Sequence, residues 1–257
     1  MKYQTESERL AFQANLWNQD TQEFLDFLDI RKGYLCLDLG CGPTGILEEL
    51  SHRVGDTGKV VGFDYDLAYL TKASMRNGRF YSPNVSLIQG DIRNPPIRRN
   101  SFDLVHARFF LSLFKFPQRV IWQMLSLVKA GGIIALQELD LRNTSIFPPS
   151  PQWSSIVEVI VLVFSALGNS EANRIAKELM FHFGIQDIHT RRVVLNTLHT
   201  HYASWIVDGI TNSKDVLRRR GIMNDDEICS FIGNLRDLLE RSQVSFPLVQ
   251  IWGHKKA

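Results

Sequence analysis

Short apolar runs separated by helical patterning organise the first half of the chain. The runs Tyr34–Leu39, Lys59–Phe63, Val85–Gln89, Phe102–Ala107 and Gly132–Glu138 are rich in Val, Ile, Leu and Phe and read as strands. Between them, apolar residues recur at helical spacing over Ile46–Val54, Leu67–Asn77 and Gln118–Val128. Apolar strands alternating with helices predict crossover units, and therefore a parallel sheet covered on both faces. Gly55, Asp56, Thr57 and Gly58 form the turn into the second strand, and Gly131-Gly132 ends a helix and opens a strand.

The second half is patterned differently. A Pro-rich segment, IFPPSPQW, leads into an apolar helix at Trp153–Leu167, a second at Ser170–Phe183 and a strand at Thr190–Asn196. Helical patterns then run through His199–Gly209, Ser213–Arg220 and Asn224–Ser242 before a last strand, Phe246–His254. Roughly 50 residues between the last two strands are too many for a hairpin loop and predict an inserted helical cap.

A chain of 257 residues suits one large domain, or a domain with a cap, and buries a core without staples. Its net charge of +2 gives no global attraction to nucleic acid or membrane, so neither is expected as a partner. The clusters Arg191-Arg192 and Arg218-Arg219-Arg220 read as solvated surface. Cys36, Cys41 and Cys229 show neither paired spacing nor a histidine cluster, which predicts a reducing compartment and no structural metal. The N-terminal stretch is charged and amphipathic, and the most apolar run, Ile156–Leu167, is too short to span a bilayer. A cytoplasmic protein is expected.

In an open parallel sheet the ligand lies beyond the carboxyl ends of the strands, so the turns there carry the chemistry. After the first strand, LDLGCGPTG contains Gly40, Gly42 and Gly45, which let backbone approach a ligand closely. After the second comes Asp64, placed to accept both hydroxyls of a ribose. After the third comes Gln89-Gly90-Asp91-Ile92, a carboxylate for an exocyclic amine beside an apolar side chain for a ring. Any adenosine ligand fits so far, and Asp38 discriminates. A carboxylate at the edge of the loop opposes a pyrophosphate but favours a sulfonium cation with an ammonium group. The ligand that fits is S-adenosylmethionine.

The ordered motifs Asp38-x-Gly40-x-Gly42, Asp64, Gly90-Asp91-Ile92, FDLVHARFFLSL and LVKAGGIIALQELD resemble those of class I S-adenosylmethionine-dependent methyltransferases, over about residues 30 to 140. Their small-molecule branch is the nearest in pattern. The resemblance implies an α/β, Rossmann-like, doubly wound seven-stranded sheet, mostly parallel with an antiparallel last strand, plus a helical cap. It implies one domain over 1–257: a lid at 1–30, a cofactor-binding core at 31–140, the rest of the core at 141–196 and 246–257, and a cap at 197–245. It further implies S-adenosylmethionine as cofactor, S-adenosylhomocysteine as product and a small-molecule acceptor. Asp38, Gly40, Cys41 and Gly42 correspond to the loop around the methionine moiety, and Asp64 to the ribose-binding acid. Tyr65 and Ile92 would pack on adenine, Asp91 would accept from its amine, and Ala107, with Arg108 beside it, lies where a backbone carbonyl meets the ammonium group. Arg9, Gln13 and Trp17 would close over the cofactor, the alternative being a surface helix with Trp17 docked on the core. Pro43 and Thr44 replace the usual small residues, and His106-Ala107-Arg108-Phe109 replaces the Asn-Pro-Pro-Tyr type of signature, which disfavours base or glutamine methylation.

Methyl transfer from a sulfonium needs alignment above all, and a base only where the acceptor must lose a proton. His106 and Glu138 are the catalytic candidates, set against structural roles for each; Arg108, Asp140, His199, His201, Tyr202 and Trp205 complete the set near the pocket. Arg108 would bind an acidic acceptor or pair with Glu138. Abundant aromatics, mostly core, leave a few to line a site for an apolar or aromatic acceptor. Competing readings are an RNA or protein methyltransferase, an S-adenosylmethionine-binding protein without transfer and, more distantly, an NAD-dependent dehydrogenase.

Overall fold

The computed structural model describes residues 5–77, 83–197 and 204–256. Its strands are β1 (Leu35–Leu39), β2 (Lys59–Asp64), β3 (Val85–Gln89), β4 (Phe102–Arg108), β5 (Val128–Leu139), β6 (Ser145–Phe147), β7 (Ile185–Thr197) and β8 (Gln243–Lys255). They form one sheet in the order β3-β2-β1-β4-β5-β8, with β7 on the far side of β8. The first five strands pair in parallel, and β8 runs antiparallel to both β5 and β7. The chain moves from β1 outward to β3 and returns to β4 on the other side of β1, so the switch point, and the crevice it opens, lie between β1 and β4.

Successive strand residues face opposite sides of a sheet, and here both sides are covered. On one side Cys36, Val60 and Leu104 pack against α2 (Asn18–Phe27) and α3 (Leu47–Val54) through Phe24, Leu25, Leu47 and Leu50. On the other, Leu37, Leu39 and Val105 meet α5 (Pro117–Leu127) and α7 (Ala172–His182) through Ile121, Met124, Ala176 and Met180. That double burial is why these strands read as continuous apolar runs.

A third apolar cluster joins α6 (Trp153–Leu167) to the helices α8 (Ser204–Asn212), α9 (Lys214–Arg219) and α10 (Asp225–Leu239), and to Val244, Phe246 and Leu248 of β8. The three last helices fall between β7 and β8, where a helical insertion is expected. Among the described residues no single helix is long and apolar enough to cross a membrane; α6 and α7 pass such a test only together, bent by 51°.

The structure revises the sequence reading in three places. The sheet has eight strands, because β6, only three residues long and ending just before Pro148, adds to β8 at Ser245, Val244 and Gln243, past the β5 ladder. β7 starts at Ile185, with a register shift between Gln186 and His189, and its polar opening residues hide it from an apolar pattern. The N-terminal helix is two: α1 (Glu6–Leu16), opened by a reciprocal cap between Thr5 and Glu8, and α2, with fully buried Trp17 at the joint. α4 (Leu67–Asn77) follows the sequence expectation.

Phe246 is fully buried in the cluster that ties β8 to the cap. Phe246→Ala is expected to cost about 3–5 kcal/mol, read as a lower denaturant midpoint with an unchanged slope.

Candidate active site

A cavity of about 650 Å³ opens at the carboxyl ends of β1 to β4. The turns after those strands form its polar floor, and α1, α6 and α8 supply Leu10, Gln13, Val163, Phe164 and Ile206 on the opposite side.

The floor is shaped by the turn after β1. Gly40 and Gly42 hold φ of +65° and +56°, a region that disfavours a side chain. A Cβ on Gly40 would also stand 2.3 Å from the Phe110 ring, whereas one on Gly42 would meet nothing within 4 Å. Gly40 is thus demanded by packing, and Gly42 leaves its backbone open to the cavity. Gly40 and Cys41 donate their N–H groups to the Phe63 carbonyl at 2.8 and 3.1 Å, and Gly42 N–H donates to Asp64 Oδ2 at 2.9 Å. The second Asp64 oxygen accepts from Asp66 N–H. Burial raises the Asp64 pKa, and those two backbone donors oppose it. Asp91 sits at the next strand end with Arg93 on its carboxylate at 2.5 Å, which lowers its pKa; Ile92 beside it is buried.

Asp38 is buried below this loop. Its Oδ2 accepts from Ile46 N–H at 3.2 Å, and its Oδ1 lies 2.8 Å from His106 Nδ1. The register of β1 with β4 sets the two residues side by side. Gln137 Oε1 accepts from Thr21 and Gln250, so its amide nitrogen faces His106 Nε2 at 3.0 Å and must donate there. His106 therefore carries its proton on Nδ1 and donates it to Asp38. A ring protonated once is uncharged, and among the described residues no Lys or Arg lies within ion-pair distance of Asp38. The negative charge of Asp38 therefore has no direct cationic partner; Arg108, which lines the same cavity without touching it, feels its attraction at longer range.

The two catalytic candidates are held in structural bonds. His106 is fully buried, with both ring nitrogens engaged. Glu138 does not line the cavity: one carboxylate oxygen accepts from Phe110 and Leu111 N–H at 2.9 and 2.7 Å, fixing the turn whose Phe110 ring roofs Gly40. Arg108 does line the cavity, donating to Thr21 Oγ1 at 3.0 Å and lying 5.8 Å from the centre of the Phe109 ring. It forms no ion pair with Glu138 or with any other described residue, and burial lowers its pKa.

The other expected residues divide. Gln13, Cys41, Tyr65 and Ile92 line the cavity, as does Arg9, which pairs with Glu6 at 2.5 Å. Burial pushes the Cys41 thiol pKa up, out of the range of a reactive thiolate. Ala107 is buried between Leu39 and Leu136 within the sheet and is not part of the lining. Trp17 docks on the core, edge-on to Phe109, rather than closing over the floor. Asp140 is held by Asn143 and does not line the cavity, although its neighbours Leu139 and Leu141 do. His199, His201 and Tyr202 lie outside the described residues, as does the side chain of Trp205. Gln137, Gln250, Thr21 and Phe110 are functional supports that pattern reading overlooks. A buried Gln immediately before Glu138 in an apolar strand was the one available signal.

Burial holds the Glu138 carboxyl up to about 7, against 4.5 for the free side chain, outweighing the backbone donors of Leu111 and Phe110. The folded state binds this proton more tightly than the unfolded chain, so the group's contribution is full below pH 4.5 and is lost as pH rises through about 7. The unfolding free energy of the wild type, taken relative to Glu138→Gln, should fall by about 3 kcal/mol across that window. Denaturant titrations at several pH values measure it, and a flat difference contradicts the assignment.

Comparison with known proteins agrees with this architecture. A family model described as "Methyltransferase domain" matches residues 30–189. The chain is 30% identical over 138 residues to a demethylmenaquinone methyltransferase of Oceanobacillus iheyensis, covering 53% of this chain and 57% of that protein. It is 29% identical over 153 residues to a 2-phytyl-1,4-naphtoquinone methyltransferase of Thermosynechococcus vestitus, covering 59% and 65% respectively. The match thus spans less than two thirds of either relative. Among solved structures, the YcgJ protein of Bacillus subtilis superposes with a TM-score of 0.64 at 17% identity, over 93% of this chain and 99% of that one. Phosphoethanolamine N-methyltransferase 2 of Haemonchus contortus, in complex with S-adenosyl-L-methionine, gives 0.58 at 16% identity, over 94% and 53%. With the glycine turn, the strand-end carboxylates and the sheet order in agreement, the chain belongs to the methyltransferase domain family.

Proposed function

We propose that this chain transfers a methyl group from S-adenosylmethionine to a small, lipophilic acceptor bound in the apolar part of the cavity. The observation that carries the reading is the buried Asp38 carboxylate, without a direct cationic partner, beneath a glycine turn with room above Gly42. A sulfonium and an ammonium are stabilised by that charge, and a pyrophosphate is repelled by it. The strand-end carboxylates fit the rest of the cofactor: Asp64 for the ribose hydroxyls, Asp91 for the adenine amine, and Ile92 and Tyr65 for the ring faces.

Bound S-adenosylmethionine supplies a methyl group already activated for displacement. The chain's own part is alignment and exclusion of water. His106 acts by holding Asp38, and Glu138 by holding the turn that carries Phe110, so both are positioning residues in this reading. Residues 1–30 serve as lid and 197–245 as cap, since α1 and α8 both contribute to the cavity wall.

The acceptor side is lined by Phe109, Phe114, Leu139, Leu141, Val163 and Phe164. Such a surface suits an apolar ring, and the names of the quinone methyltransferases given above support a naphthoquinone-like acceptor. The RNA or protein reading requires the clusters Arg191-Arg192 and Arg218–Arg220 to converge on the cavity rim, and none of these residues lines it. Arg191 pairs with Glu23 and Arg192 with Asp140, while Arg218 pairs with Asp215 and Asp225. The free cysteines, of which two are buried, accord with a reducing cytoplasm.

Calorimetry should show binding of S-adenosylmethionine and S-adenosylhomocysteine but not of NADH. Reduced demethylmenaquinone should yield S-adenosylhomocysteine on incubation. Asp64→Asn should weaken cofactor binding by about 1–3 kcal/mol; NADH bound in place of the adenosyl ligands would refute the reading.

A further inference from the structure

The net charge of +2 conceals a strong local asymmetry. Residues 91–123 contain six basic residues (Arg93, Arg98, Arg99, Arg108, Lys115, Arg119) and two acidic ones, a net of +4, which leaves −2 for the rest of the chain. All of these cations except Arg108, which points into the cavity, are exposed.

The same stretch exposes large apolar side chains. Leu113 is 64% exposed, Phe116 53% and Trp122 44%. They are interleaved with the cations: Lys115 and Arg119 lie 5.8 and 5.9 Å from the Phe116 ring centre, and Arg99 lies 5.4 Å from that of Trp122. Phe116, at the N-terminal edge of α5, Arg119 and Trp122 are three residues apart, so each neighbours the next on the exposed side of the helix. Gln123 Nε2 donates to the Arg93 carbonyl at 3.0 Å, joining the segment around Arg98 and Arg99 to that helix. No acidic residue occurs in α5.

This face adjoins the cavity. Leu113, Phe114 and Arg93 belong to the lining, and so does Leu167, itself 44% exposed and close to Leu113, since Asn169 N–H donates to the Ser112 carbonyl at 2.8 Å. Apolar residues thus run from the cavity wall over its rim onto an exposed, positively charged surface.

We propose that residues 93–99 and 113–122 form a docking face for an anionic lipid bilayer, on which the cavity opens toward the membrane interface. The inference rests on the lipophilic acceptor proposed above. Aromatic and leucine side chains at the rim would enter the headgroup region while the flanking cations meet lipid phosphates. An acceptor dissolved in the bilayer would then pass along Leu113 and Leu167 without crossing water. Such a contact is peripheral and needs no spanning helix. A nucleic acid would also satisfy the cations, but it gives no reason for an apolar path into the cavity.

Co-sedimentation with vesicles tests the face without calling on turnover. The full chain should bind vesicles of phosphatidylcholine with phosphatidylglycerol, bind pure phosphatidylcholine far more weakly, and be released by salt. Lys115→Gln with Arg119→Gln should weaken partition by about fivefold per cation. Phe116→Ser with Trp122→Ser should weaken it at least tenfold, and calorimetric binding of S-adenosylmethionine by each variant shows that it has folded. Equal binding to both vesicle types, no binding to either, or indifference to both pairs of substitutions overturns the proposal; so does displacement from vesicles by a single-stranded oligonucleotide at low concentration. Cofactor binding without vesicle binding refutes this face alone. Vesicle binding without methyl transfer refutes the proposed function instead.

Discussion

The bond between Asp38 and His106 is the constraint on which the site depends. A buried carboxylate is expensive unless its lone pairs are satisfied, and here a backbone N–H and an imidazole N–H satisfy them without cancelling the charge. A lysine or arginine in place of His106 would satisfy the same oxygen but neutralise the field that the cavity receives. The choice of a neutral partner is enforced from behind: Gln137 can only donate to His106 because Thr21 and Gln250 occupy its carbonyl. Thr21 comes from α2 and Gln250 from β8, so an N-terminal helix and the penultimate strand of the sheet fix the protonated nitrogen of a histidine in β4.

A second chain of bonds controls shape rather than charge. Glu138, at the end of β5, gathers the N–H groups of Phe110 and Leu111, and the Phe110 ring then covers Gly40 so closely that no side chain fits there. Phe109, between the strand and this turn, holds a φ of +54°, a conformation that costs a bulky residue about 1–2 kcal/mol. Its N–H donates to the Gln137 carbonyl at 2.8 Å, and its ring packs on Trp17 and under Arg108. Packing and hydrogen bonding therefore hold in place a backbone turn that the local sequence alone disfavours.

Much of this was legible in the sequence, for identifiable reasons. The parallel strands announced themselves because both of their faces are buried, and the binding turns followed from their carboxyl ends. Asp38, Asp64 and Asp91 stood out as carboxylates at those ends. The roles of His106 and Glu138 were not legible, because a strand-end histidine or glutamate looks the same whether it faces a ligand or a backbone amide. What decides between the two is cross-strand register: Asp38 opposite His106, and Gln137 opposite Gln250. Those pairs are 68 and 113 residues apart in the chain, and no local pattern encodes them. The three-residue β6 and the polar opening of β7 escaped for a related reason, since pairing with β8 rather than their own composition makes them strands.

The cavity's two halves differ in how tightly they are specified. The polar floor is built from strand ends and their turns, where sheet hydrogen bonds leave little freedom, and every carboxylate on it has a backbone or side-chain donor. The proposed acceptor side sets α1, α6 and α8 against Phe109, Phe114, Leu139 and Leu141 from the end of β5 and the turns after β4 and β5, and the helices approach through apolar contacts that are not directional. A substitution on the floor breaks a hydrogen bond and exposes a buried charge; one on the helical side changes volume and shape. Under the proposed function, such a division keeps the cofactor floor fixed while the apolar wall sets which acceptor fits. It also places the exposed basic and aromatic stripe of α5 at the boundary between the two halves, because the turn held by Glu138 leads directly into that helix. The group that shapes the floor thereby also sets where the rim lies.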